Sequence, residues 1–104
     1  NMTDICRFNV GGHKYEVSRS LLKQHPNTML ARISSEQWQK DPKAEVFIDQ
    51  DGDRFRYCLD YLRFGSVILP ATVAKKAVLQ DLAYYGVEDV DEGSIDDGFE
   101  RGLR

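Results

Sequence analysis

The stretch that decides the fold runs from Val46 to Gly65 and reads VFIDQDGDRFRYCLDYLRFG. A short apolar run ends in carboxylates, and a helical pattern follows at once and stops at the glycine. At ~100° per residue, two apolar groups fall on opposite sides of this helix: Phe55, Cys58, Leu59 and Leu62 on one side, and Tyr57, Tyr61 and Phe64 on the other. A surface helix needs only one apolar stripe. Two stripes predict that both faces contact protein, and that one contacts another copy of the chain.

Two alternating segments stand at the beginning of the chain. Residues 5–10 and 13–18 each place apolar side chains at every second position, and Gly11-Gly12 lies between them. This pattern predicts a β-hairpin with a tight turn. Its outer face carries Arg7 and Asn9, together with Lys14 and Glu16, for which a solvated surface and an interface both remain open.

The segment between the hairpin and the central stretch predicts two short helices followed by a loop. Ser18 or Ser20 can cap the first helix, and Pro26 ends it. Residues 34–45 are polar, contain a proline and predict a loop. Trp38 lies in this loop, either folded back onto the domain or exposed as an anchor for a partner.

The central stretch and the residues after it predict a short buried strand, two longer helices and a tail. Val46 to Ile48 predicts the strand, and Asp49 or Asp51 can cap the helix that follows. A short extended piece precedes the last helix, which Thr72 can cap and which ends at Gly86. This order predicts an α+β fold and argues against a parallel sheet built from βαβ units.

The domain boundaries follow from the loss of periodicity at both ends. Residues 1–4 are expected to be a leader or remnant, residues 5–88 one domain, and residues 89–104 a flexible acidic tail. Residues 88–104 carry seven acids against two arginines. Because the chain opens with Asn1, we expect it to be part of a longer protein.

Composition and motifs exclude several classes of function. No basic stripe supports nucleic-acid binding, and no apolar run approaches the ~20 residues that a membrane span needs. We therefore expect neither a nucleic-acid partner nor direct contact of this domain with a membrane. The two cysteines and two histidines form no metal-ligand spacing. Asp49, Asp51 and Asp53 only faintly resemble a calcium loop. No nucleophile motif is present, so the sequence predicts a protein that is not an enzyme and has neither a metal nor a cofactor.

Four segments together resemble the potassium-channel tetramerisation subfamily of BTB/POZ domains. They read FNVGGHKYEVSRSLL, PNTML, FIDQDGDRFRYCLDYLRFG and LQDLAYYGVE, and the resemblance covers about residues 5–88. It implies a cytoplasmic module that assembles into rings of identical subunits. These are tetramers in voltage-gated potassium channels, and pentamers or other small rings in related soluble proteins, several of which resemble adaptors of cullin-type ubiquitin ligases. It does not imply an enzyme.

The interface residues predicted on this basis are polar. They are Arg7, Asn9, Asp49, Asp51, Arg54, Tyr57 and Arg63. For docking a cullin-type scaffold, the exposed-aromatic candidates are Trp38 and Tyr84. The chain has no cysteine after Cys58, so it resembles the versions of this domain without zinc, and Gln50 replaces an arginine that is common in relatives. The ring size therefore stays open between four and five.

Overall fold

The predicted hairpin is confirmed in the computed structural model, which describes residues 4–98. Strand β1 (Ile5–Val10) pairs antiparallel with β2 (His13–Ser18), and its other edge pairs parallel with β3 (Glu45–Ile48). The strand order is therefore β2-β1-β3. The sequence argued against a parallel sheet built from βαβ units, and the sheet is indeed mixed, with one antiparallel and one parallel pair. The parallel pair was not foreseen; the two helices between β2 and β3 make a connection long enough for it.

Two helices form that connection. Helix α1 (Arg19–Lys23) begins where the Ser18 side chain accepts a hydrogen bond from the Leu21 N–H. Helix α2 (Met29–Lys40) begins where Thr28 accepts one from the Ala31 N–H at 3.2 Å. The predicted loop at residues 34–45 was wrong over its first half, since α2 continues to Lys40. Glu, Gln and Lys favour helices without an apolar stripe, so the periodicity gave no signal there.

Helix α3 (Gly52–Phe64) is the predicted central helix, and Gly65, with φ +72°, follows its end. Strand β4 (Val67–Ile68) leads to helix α4 (Lys75–Tyr84). The predicted cap at Thr72 was wrong, because the residue before α4 is Ala74, which makes no side-chain capping bond. Here the helix starts without the usual polar side chain.

The chain after Glu88 differs from the expected flexible tail. A short 3-10 helix spans Glu92–Ser94, and strand β5 (Ile95–Asp96) pairs parallel with β4. Ile95 is buried, and this part of the segment is held by burial and strand pairing together. The remainder of the expected tail, residues 99–104, and residues 1–3 of the expected leader lie outside the described residues.

The chain divides into two compact units, Asn1–Asp53 and Arg54–Arg104. The buried side chains of the first unit include Phe8, Val10, Val17, Leu21, Leu22, Leu30 and Ile48. Those of the second include Phe55, Cys58, Leu59, Leu62, Leu69, Val78, Leu82 and Tyr85. The first apolar stripe predicted for α3 is therefore confirmed as buried.

The backbone at Gly52 leaves no room for a side chain. A Cβ there would collide with the Val10 carbonyl oxygen and lie 2.7 Å from the Cβ of His13. We predict that Gly52→Ala lowers the free energy of unfolding by about 1–3 kcal/mol, as overpacking does. Urea denaturation followed by circular dichroism measures this.

Gly93→Ala is the matched control, because the nearest atom to its new Cβ would be Asp91 Oδ1 at 3.3 Å. The loss of unfolded-chain entropy is common to both substitutions. Equal effects of the two variants would contradict the steric explanation.

Candidate functional site

The outer sheet face consists of Arg7, Asn9, Lys14, Glu16, Glu45 and Phe47. The strand register places Arg7 between Glu16 and Glu45, and Asn9 between Lys14 and Phe47. The inward positions of β1, in contrast, are buried. The predicted hairpin residues Arg7 and Asn9 are thus brought together on one face, with the third strand adding two residues to it.

Weak ion pairs link the charged side chains of the outer sheet face. Arg7 Nη2 lies 3.9 Å from Glu16 Oε2, and Lys14 Nζ lies 3.5 Å from Glu45 Oε2. Exposed pairs of this kind are worth about 0–1 kcal/mol to folding. The fold therefore gains little from these charges.

Phe47 is one of the two residues of this face that the sequence did not predict, and Glu45 is the other. The Phe47 side chain is 64% exposed although it stands in a β-strand between charged neighbours. The sequence could have indicated this exposure, because neighbouring side chains of a strand point to opposite faces and the next residue, Ile48, is buried. Apolar residues that stand singly on a surface are common, so Phe47 is a candidate contact because it shares the outer sheet face with Arg7 and Asn9.

Asp49 and Asp51 lie in the segment that joins β3 to α3, and both are exposed. Close by in sequence, Asp53 Oδ1 lies 3.0 Å from His13 Nε2. No cluster of three or more His, Cys, Asp or Glu side chains within residues 4–98 could hold a metal ion. In the same range, no helix has the length and apolar character that a membrane crossing needs.

The second apolar stripe of α3 is covered only in part. Tyr57 and Tyr61 are half-buried, and the Tyr61 hydroxyl accepts a hydrogen bond from the Asp91 N–H at 3.0 Å. Phe64, at the end of the helix, is 72% exposed. The predicted interface residue Arg63 is exposed beside it and pairs with Asp60 at 3.6 Å. The chain's own segment after Glu88 thus contacts part of the stripe that we expected another copy to cover.

Arg54 is engaged inside its own unit. Its Nε and Nη2 donate to the two oxygens of Asp81 at 2.6 and 3.0 Å, and the Asp81 side chain is only 8% exposed. Such a bidentate pair joins α3 to α4 with defined geometry. The pair gives Arg54 a structural role that its sequence position does not reveal.

Cys58 and Tyr85 are kept neutral close to the Arg54–Asp81 ion pair. Burial raises the pKa of the Cys58 thiol to about 12, with Asp81 adding to the rise and Arg54 opposing it. Burial also raises the pKa of Tyr85 above its ordinary value, and its ring meets Phe55 edge to face at 5.1 Å between centroids. A buried thiol with a raised pKa is a poor nucleophile, so Cys58 is not a candidate nucleophile.

The two exposed aromatic candidates belong to different units. Trp38 is 40% exposed on α2, with the Arg19 guanidinium carbon 4.5 Å from its ring centroid. Tyr84 is 46% exposed on α4 and meets Tyr85 edge to face. Each is accessible to a partner on its own, and Trp38 stands on a helix rather than in the predicted loop.

Comparisons with known proteins agree with the resemblance found in the sequence. A family model of the BTB/POZ domain matches residues 6–93. The chain is 32% identical over 80 residues to the potassium voltage-gated channel protein Shal of Drosophila melanogaster. That alignment covers 77% of this chain but only 14% of the channel.

Removing Arg54 is expected to leave a carboxylate nearly buried without its cation. We predict that Arg54→Ala lowers the free energy of unfolding by about 1–3 kcal/mol, the cost of an unsatisfied buried polar group. Arg56→Ala, on the exposed side of the same helix, is the control and should change it by less than about 0.5 kcal/mol. Equal losses in urea denaturation would show that the Asp81 pair contributes nothing specific.

The raised pKa of Cys58 predicts a loss of stability at high pH. The folded state holds the thiol proton up to about pH 12, whereas the ordinary pKa of the thiol is 9.0. The stabilisation is therefore complete below pH 9 and is lost as the pH rises from there towards 12. We expect the free energy of unfolding to fall by about 1 kcal/mol between pH 8 and pH 10 through this group.

Urea denaturation at the two pH values measures this difference. Cys58→Ala should reduce the decrease between pH 8 and pH 10, whatever its effect at pH 8. An unchanged pH dependence in that variant would contradict the assignment to Cys58.

Proposed function

Because the chain belongs to the BTB/POZ domain family, we propose that it is a protein–protein interaction module through which identical chains assemble into a closed ring. The buried, neutral Cys58 and Tyr85 give no support to an enzymatic role. The module acts by bringing together whatever is attached to it in the full protein.

The observation that carries this proposal is the outer sheet face. Its charges are paired only weakly within the chain, and it exposes Phe47 among them. The charges of such a face contribute little to the stability of the isolated chain. They contribute more when a neighbouring subunit excludes water from them. When it meets a different face of the next copy, repetition by rotation closes a ring and leaves no open edge.

We assign the subunit contacts of the first unit to Arg7, Asn9 and Phe47. Asp49 and Asp51 supply carboxylates that pair with basic side chains of the next subunit. In the second unit we assign Tyr57 and Arg63. Arg54 acts indirectly, since its pairing with Asp81 fixes the α3 surface that carries these two residues. Polar contacts of this kind set register and reject wrong partners more than they add affinity.

The full protein has two candidate roles. Similarity to Shal, a voltage-gated potassium channel, favours the assembly domain of such a channel and a ring of four. The second candidate is a cytoplasmic adaptor with a ring of five that docks a cullin-type scaffold through Trp38 or Tyr84, and it is supported by the exposure of these two rings. Because the alignment covers a small part of the channel, the attached domains decide between them.

We predict that the purified chain is a tetramer or pentamer in native mass spectrometry, and that Arg7→Ala shifts it towards monomer. Truncating one partner of a charge pair that assembly desolvates costs about 2–5 kcal/mol. The dissociation constant between subunits should therefore rise by at least tenfold. Light scattering behind a sizing column measures the shift across protein concentrations.

Lys76→Ala is the control, because Lys76 is exposed on α4 and outside the assigned faces. It should leave the oligomer intact. A monomer at tens of micromolar for the unsubstituted chain would contradict the assembly proposal, and an intact oligomer in Arg7→Ala would contradict only the residue assignment.

A further inference from the structure

A groove between α1 and α2 lies within the first unit and takes no part in the proposed assembly. Its volume is about 430 Å³, within the ~300–1,000 Å³ range of ligand-binding clefts. The residues that line it include three apolar ones and three cations: Leu22, Pro26, Ala31, Arg19, Lys23 and Arg32. We refer to it as the α1–α2 groove.

The cations of the α1–α2 groove have no carboxylate partner among residues 4–98. The ion pairs of that range involve other basic residues. Arg32 donates instead to the backbone oxygen of Asn27 at 2.8 Å. One acid, Glu36, also lines the groove, so the groove has an excess of positive charge although the chain as a whole carries −3.

Arg19 is held in position without a strong acceptor. Its guanidinium lies over the Trp38 ring at 4.5 Å, and Nη1 lies 3.5 Å from the Cys6 sulfur. A ring face and a sulfur are weak partners for a guanidinium. The side chain is therefore pre-positioned for a carboxylate at little further cost in entropy.

The groove continues past Arg19 towards Trp38. A neighbouring hollow of about 530 Å³ shares Arg19, Lys23 and Ser35 with the groove and includes Trp38 in its lining. The second hollow adds no further cation and one acid, Asp4, to the lining. Across both hollows, three cations (Arg19, Lys23 and Arg32) therefore stand against two acids (Glu36 and Asp4), which still leaves an excess of positive charge.

We propose that the α1–α2 groove binds a short acidic peptide segment of a partner protein. An apolar side chain of the peptide packs on Leu22, Pro26 and Ala31. Its carboxylates pair with Arg19, Lys23 and Arg32. The excess of cations in the groove indicates that the ligand is acidic. The apolar lining favours a peptide over a free anion, because only a peptide has an apolar side chain that can be buried there.

Trp38 provides a direct readout, since it is the only tryptophan of the chain. The probe is the peptide acetyl-DDLEDL-amide, and the matched control is acetyl-NNLQNL-amide, which keeps the shape and removes the charge. We expect saturable changes in tryptophan fluorescence with the acidic peptide only, with calorimetry giving the same affinity. Affinity should fall as salt is raised, because partly exposed charges are screened.

The variants assign the binding to this groove. Lys23→Gln and Arg32→Gln should each weaken binding about tenfold, the effect of losing one charge-assisted contact. Lys40→Gln is the matched control, because it removes the same charge from the exposed end of α2, outside the groove lining. Native mass measured for each variant separates a loss of peptide binding from a change in assembly.

Three results would overturn this proposal. Absence of saturable binding by both methods up to millimolar peptide excludes an acidic ligand of this class. Equal binding of the neutral peptide shows that the cations do not select the ligand. Equal weakening by Lys40→Gln and Lys23→Gln shows that general surface charge, and not the groove, attracts the peptide.

Discussion

The close approach of backbone to backbone at Gly52 is the constraint on which the first unit depends. The helix start, the end of β1 and the hairpin residue His13 meet there without space for a Cβ. The Tyr15 hydroxyl donates to the Gly52 carbonyl, and the Gly11 N–H donates to the Ile48 carbonyl at 2.9 Å. Hairpin, third strand and helix start are therefore fixed to one another by this close approach and by these two hydrogen bonds.

The sequence predicted the elements whose pattern is set by their own burial. The hairpin alternates because one face is buried, and α3 shows its stripe because Phe55 and Leu59 are buried. The second half of α2 has no such stripe, and α4 begins at Lys75, after Ala74, which makes no side-chain capping bond. The second half of α2 was missed because it lacks apolar spacing. The start of α4 was misplaced because it lacks a capping side chain.

The candidate site was predictable where it follows strand alternation and unpredictable where it depends on distant pairing. Arg7 and Asn9 share a face because they are two residues apart in one strand, and Phe47 could have been added by the same rule. The partner of Arg54, however, stands 27 residues further along the chain. Nothing in local spacing indicates that α4 supplies a nearly buried carboxylate there, so the Arg54–Asp81 pair could not be predicted from the sequence, and the interface role of Arg54 stays a prediction.

The parallel pairing of β4 with β5 bears on where the domain can be cut. Ile95 is buried, Leu69 donates its N–H to the Asp96 carbonyl at 3.0 Å, and Asp91 is bonded to Tyr61. A protein shortened to end at Glu88, where the resemblance in sequence stops, would lose every one of these bonds and uncover the edge of β4. An uncovered strand edge invites aggregation, so recombinant versions of the second unit need the acidic segment at least to Gly98.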